Sequence, residues 1–395
     1  MPAVSPSEHF SSYTENNRIK HEILTRYLKQ YATALSRHAE GFHCIDGFAG
    51  RGSYDGQPGS PLRALSVLGE QHRPFSMSLV EAEADLAEDL RAALRATPWP
   101  PNLIDTPLVE VGEFSAHIAQ VLSKDIYRRF RSVATFAFLD PCRAAGYGAD
   151  EIRAILAQPY GECLVFWNYE GVNRWLGSVA SQYSGGDGLA RMFGSREAFE
   201  ETLRIWQSSR NPAEKERDLL AHFLQSLRGY AGADFLVPFR FTSDAANRTS
   251  HFLVHCSRHP LAFRLMKDVM GSLRTNPEPG QFSYLGRSDV GHQFSMFEPD
   301  AQTSAIEAIL LELRTGPKPV SQFTVQWVER PLDFFRSKDH RSILLEMEAK
   351  GRIRVLEGDG VTPAPASKRR KIHGNPTLSD RLWIGVPGQQ MTIQR

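Results

Sequence analysis

Cysteine is scarce in this chain of 395 residues: Cys44, Cys142, Cys163 and Cys256 are far apart and form no CxxC pair. That spacing excludes a disulfide framework and reads as reduced thiols in a cytoplasmic protein. No run of about 18 apolar residues occurs, so no membrane-spanning helix is expected, and the polar start MPAVSPSEHF has no signal-peptide core. No GxGxxG fingerprint follows any strand-like segment, which argues against a dinucleotide-binding oxidoreductase. There is no internal repeat. Net charge is also nearly absent, with 46 Lys+Arg against 45 Asp+Glu, so the chain as a whole is no polycation. The balance conceals an asymmetry, with residues 1–300 carrying −4 and residues 301–395 carrying +5. A nearly neutral body with a basic end suggests an acidic partner for the C-terminus.

What is present is ordinary globular composition, 41% hydrophobic and 23% charged. This excludes wholesale disorder and suits two or three domains. Residues 1–17 read as a polar leader. From Arg18, the spacing of Ile19, Ile23, Leu24, Tyr27, Leu28, Tyr31 and Leu35 marks an amphipathic helix. Apolar strands are then expected at 42–45, 76–80, 106–111, 134–139 and 161–168, with helices between them. Continuous apolar strands alternating with helices indicate a sheet covered on both faces. The fold class expected over 18–275 is therefore α/β, doubly wound and Rossmann-like. A helical insertion interrupts it at about 170–235, with a Gly-rich loop at 184–188, and two last strands follow at 234–241 and 250–256. Residues 276–300 read as a linker. Residues 301–395 read as helices at 303–314, 321–335 and 338–350 followed by a two-stranded hairpin, the outline of a winged helix.

The chemistry gathers at strand ends. Asp46-Gly47-Phe48-Ala49-Gly50-Arg51-Gly52 follows the first strand, where glycines let the backbone turn sharply and a ligand approach closely. An acid placed first would repel a pyrophosphate and attract a cationic ligand. Glu81 closes the second strand and is suited to ribose hydroxyls. Gly112-Glu113-Phe114 follows the third, a polar group and a ring for an adenine edge and face. Asp140-Pro141 closes the fourth.

These residues resemble the class I S-adenosylmethionine-dependent methyltransferases, and more narrowly the three-Cys-motif partner proteins. The resemblance rests on DGFAGRG at 46–52, SLVE at 78–81, FLDP at 138–141, the helix RIKHEILTRYLKQY at 18–31 and the strand-plus-helix at 250–270. It covers most of 18–275, and members of that group also end in a winged helix. The resemblance implies S-adenosyl-L-methionine as cofactor, with Asp46, Gly47, Phe48, Ala49, Gly50, Gly52, Glu81, Gly112, Glu113, Phe114 and Pro141 around it and Asp140 at the methyl-transfer centre. It implies a partner protein as well. One departure stands out: the run Asp140-Pro141-Cys142-Arg143-Ala144-Ala145-Gly146 places no ring after Asp-Pro to stack on a flipped base. That leaves open a catalytically silent scaffold.

Two further groups invite functional readings. Lys368, Arg369, Arg370 and Lys371 fall in the expected hairpin loop, where four cations would lie along a nucleic-acid backbone; a solvated charge run is the plain alternative. His251, His255, Cys256 and His259 crowd one segment, but a buried strand with satisfied histidines accounts for them better than a metal site.

Overall fold

A computed structural model describes residues 14–179, 186–209, 211–242, 248–275, 282–284, 301–330, 335–372 and 375–388. Most of the expected leader and linker, and residues 184–185 of the Gly-rich loop, lie outside this set. The chain divides into two units, Met1–Thr275 with Ser283–Ser288, and Asn276–Phe282 with Asp289–Arg395.

The first unit is a mixed α/β layer structure. Helix α1 (Glu15–Leu35) starts at Thr14, whose side chain accepts the Asn17 N–H. Its apolar stripe, including Ile23, Tyr27 and Tyr31, is buried. The strands follow as β1 (Gly41–Asp46), β2 (Phe75–Glu81), β3 (Leu108–Val111), β4 (Val133–Leu139) and β5 (Glu162–Trp167). They are joined by α2 (Ser60–Gly69), α3 (Ala84–Ala96), α4 (Phe114–Val121) and α5 (Ala149–Leu156). Every residue of β1, β2, β4 and β5 is buried, as a sheet covered on both faces requires. Strand β3 is shorter than expected because Pro107 has no N–H to give the ladder.

The insertion consists of α6 (Tyr169–Val179), α7 (Asp187–Phe193), α8 (Arg196–Ser208) and α9 (Pro212–Gly229). Trp167, at the end of β5, stacks on Phe223 of α9 at 4.6 Å between ring centroids and fixes the insertion to the sheet. Strands β6 (Phe235–Thr242) and β7 (Thr249–Ser257) then pair antiparallel, α10 (Pro260–Leu273) follows, and β8 (Ser283–Tyr284) adds at the edge. The sheet order is 8-6-7-5-4-1-2-3. Strands β1 to β5 are mutually parallel, and β7 is inserted antiparallel beside β5.

The second unit contains α11 (Ala301–Leu313), β9 (Lys318–Pro319), a five-residue wide turn (Gln322–Gln326), α12 (Ser337–Ala349), β10 (Arg354–Leu356) and β11 (Trp383–Gly385). Of the expected helix at 321–335 the described residues show that wide turn and no regular helix between it and residue 330, while residues 331–334 lie outside the described set. The expected two-stranded hairpin is a three-stranded antiparallel sheet in which β11 lies between β9 and β10. Its core includes Ile309, Leu313, Phe323, Leu344 and Ile384.

Candidate functional site

The order of parallel strands reverses between β1 and β4, and in an open α/β sheet ligands bind at that switch point, beyond the carboxyl ends of the strands. Asp46 is the last residue of β1 and only 3% exposed. Its Oδ1 accepts the Phe48 N–H at 3.1 Å, while its Oδ2 is buried with no hydrogen-bond partner among the described residues. Burial raises the Asp46 carboxyl to about 7; the nearby Ser60 hydroxyl and the Phe48 amide oppose this, and the Asp140 and Glu81 charges add to it. Three of the four predicted acids therefore meet at this end of the sheet.

Glu81 ends β2 and holds the glycine loop. Its Oε2 accepts the Gly50 N–H at 2.7 Å and its Oε1 accepts the Glu83 N–H at 3.0 Å. The loop itself needs glycine at Gly50 and Gly52, whose φ angles are +60° and +81°. Gly47 is packed tightly, since a Cβ there would lie 2.7 Å from Leu139. Ala49 is buried and its N–H donates to Val80 O. Phe48 is half-buried beside Phe114, 6.1 Å between centroids.

The third strand end is where the expectation needs correcting. Gly112 stays beside Glu81, donating its N–H to the Glu81 carbonyl at 3.0 Å. Glu113 turns outward, exposed, with Arg143 3.8 Å away. Phe114 is 1% exposed and belongs to the core with Ile45, Val80 and Leu139, so its ring offers no face to an adenine. The cause is the start of α4 at Phe114, which rotates one side chain out and the next one in.

Asp140 follows β4 and is not a free carboxylate. Its Oδ2 receives the Lys20 ammonium at 2.6 Å. Lys20, on α1, is 7% exposed and also lies 4.5 Å above the Phe166 ring. Pro141 is buried, and the chain returns so closely at Gly146 that a Cβ there would be 2.5 Å from Pro141.

The sequence reading missed two residues. Lys20 was legible in principle, because it occupies the apolar stripe of α1 with Leu24, Tyr27 and Tyr31, an unusual place for a lysine. Tyr54 sits on a short hairpin after the glycine loop, and its hydroxyl lies 2.0 Å from where a Gly50 Cβ would stand. It narrows the hollow beside Asp46 and Glu81, and nothing local announces it.

In the second unit, Lys368, Arg370 and Lys371 are exposed in the connection between β10 and β11. Arg369 is the exception and a correction: it is 8% exposed, and its guanidinium binds both carboxylate oxygens of Glu348 on α12 at 2.7 and 2.8 Å. A charge run does not say which member turns inward. His251 stacks on Phe241 and bonds Ser250, and His255 Nε2 lies 2.8 Å from Glu162.

No family model matches the chain, and no curated protein does. Among solved structures, a Legionella pneumophila protein is similar at 14% identity and TM-score 0.39, covering 65% of this chain and 90% of that one. An O-methyltransferase from Bacillus cereus in complex with SAH follows at 10% identity and TM-score 0.32, covering 65% and 83%. The O-methyltransferase TomG from Streptomyces achromogenes, in complex with SAM, stands at 11% and 0.28, covering 65% and 100%. What the site can do follows from its own geometry.

Proposed function

We propose that the first unit binds S-adenosylmethionine at the switch point and transfers its methyl group to an acceptor held beside Asp140. The observation that carries this is the buried Oδ2 of Asp46, without a hydrogen-bond partner among the described residues, an acceptor set among three converging acids. Such a hollow suits a ligand bearing positive charge and opposes a pyrophosphate. The strand order supports the reading: β7 lies antiparallel between β5 and β6, whereas the dinucleotide fold runs 3-2-1-4-5-6 without such a strand.

The sulfonium of the bound donor supplies an activated methyl group. Asp46 meets the donor's positive charge, Gly47 to Gly52 let the backbone approach, and Glu81, firmly held, is placed for the ribose. Asp140, with its charge matched by Lys20, orients an N–H or O–H of the acceptor. Titration calorimetry with S-adenosylhomocysteine should show saturable one-to-one binding, and its absence would remove the reading. A second reading, a scaffold that binds the donor and transfers nothing, is favoured by the Lys20 ammonium already occupying Asp140. Tritiated-methyl labelling of nucleic acid and protein separates the two.

For the second unit we propose a winged helix that touches nucleic-acid phosphates. The order helix, strand, turn, helix, strand, strand with β11 in the middle supports it, and Lys368, Arg370 and Lys371 supply the cations. Replacing these three by alanine is expected to weaken duplex binding and to lower the slope of log affinity against log salt by about 1 per cation. Arg369→Ala should instead lower thermal stability, through loss of the Glu348 pair. Gel-shift titrations across salt check the first expectation and thermal melts the second; an unchanged slope in the triple variant sinks the phosphate role.

A further inference from the structure

A second cavity lies at the other edge of the same sheet, at the amino end of β5, six residues of strand and roughly 20 Å from the donor cleft. Its volume is about 520 Å³, within the range of small-molecule sites. Helices α1 and α10 form its walls with Leu35, Leu261, Ala262 and Leu265, and Tyr160, held at a left-handed φ of +49°, marks its mouth.

Its floor is Glu162, only 6% exposed. The Glu162 Oε2 accepts the Tyr27 hydroxyl and lies 2.8 Å from His255 Nε2. Its Oε1 receives no hydrogen bond from the described residues, yet it is not among the polar atoms sealed from solvent. Since Glu162 lines the cavity, that oxygen opens into it. No lysine or arginine among the described residues pairs with Glu162. Burial pushes the Tyr27 and Tyr31 hydroxyls up, and Glu162 beside them adds to it. Among the described residues its polar partners are the Tyr27 hydroxyl and His255, which carries charge only when protonated, so no permanently charged group offsets the buried acid. Asp234 and Arg258 stand at the exposed rim, where solvent and salt screen them far more than the buried acid.

We infer that this cavity is a binding site for a small organic ammonium ion, its head on Glu162 Oε1 and its apolar body against Leu35, Leu261 and Leu265. The inference is independent of the donor cleft, since none of the residues that form the one belongs to the other.

Calorimetry at pH 7.5 with phenethylammonium, its neutral analogue 2-phenylethanol and the anion phenylacetate tests it on the full chain. The ammonium should bind at least tenfold more tightly than the alcohol, and the anion should not bind. Glu162→Gln should cost the ammonium at least tenfold, and Leu265→Trp, which fills the cavity and leaves Glu162 in place, should abolish binding of both. Equal binding of ammonium and alcohol, no ammonium binding, or ammonium binding undiminished in Leu265→Trp would each overturn the inference. Should Glu162→Gln fail to fold, the probe selectivity of the unaltered protein together with Leu265→Trp decides it.

Discussion

Asp46→Asn is expected to strengthen the fold at neutral pH and to abolish donor binding. Burial holds the Asp46 carboxyl near 7 in the folded chain, against an ordinary value of 3.8. A raised folded-state value means that the native state binds the proton more tightly than the unfolded state does. The stabilising contribution is therefore complete below about pH 4 and is lost as pH rises through about 7. Three pH units of such a shift correspond to about 4 kcal/mol at most. At pH 8 the asparagine variant, which never has to ionise, should be more stable than the parent by about 2–4 kcal/mol in urea denaturation, and at pH 4 the two should coincide. The same change removes the negative charge that a sulfonium or ammonium would meet. Donor affinity in the parent should rise up to tenfold per pH unit below 7 and level off above it, because binding expels one proton. A flat affinity profile between pH 5.5 and 8, or a variant no more stable at pH 8 than at pH 4 relative to the parent, would remove Asp46 from the site. A residue that weakens the fold where it serves the ligand is a familiar exchange of stability for function.

How far the sequence disclosed this site depends on what each signal measures. Strand ends are announced locally: a continuous apolar run stops, an acid follows, and so Asp46, Glu81 and Asp140 were placed at the edge of the sheet where the structure brings them together. The side on which a residue emerges is not announced. Glu113 and Phe114 part company because α4 begins at Phe114, and a helical step of about 100° per residue turns one side chain outward and its neighbour inward. Arg369 fails for the same reason within a basic run. Long-range pairing leaves no local trace: β7 lies between β5 and β6 through contacts some 90 residues apart in the chain, such as Cys163 with Cys256. Lys20 shows a third kind of loss. A single lysine in an amphipathic stripe stands out in the sequence, but what it pairs with does not until the carboxylate 120 residues away is known.

That lysine carries the second large expectation. The Lys20–Asp140 pair is mostly buried, with side chains 9% and 17% exposed. Removing one partner of a buried pair leaves the other charge uncompensated, at a cost of about 3 kcal/mol. Lys20→Met, which keeps the stem and its contact with Phe166, and Asp140→Asn should each destabilise the first unit by about that amount. The double variant should recover most of it, to within about 1 kcal/mol of the parent, because a well-packed neutral pair can match a buried ionic one. A double-mutant cycle in urea reads the coupling directly, and additive losses would show that the two side chains merely lie near each other. The functional consequence is separable. If Asp140 orients the acceptor, Asp140→Asn should leave S-adenosylhomocysteine binding intact, because the donor's charge is met by Asp46, while Lys20→Met sets Asp140 free as an unmatched charge facing the cleft. In the proposed mechanism Lys20 would let a carboxylate stand beside the acceptor without drawing the sulfonium toward itself, leaving Asp140 to hold an N–H or O–H in line with the methyl group.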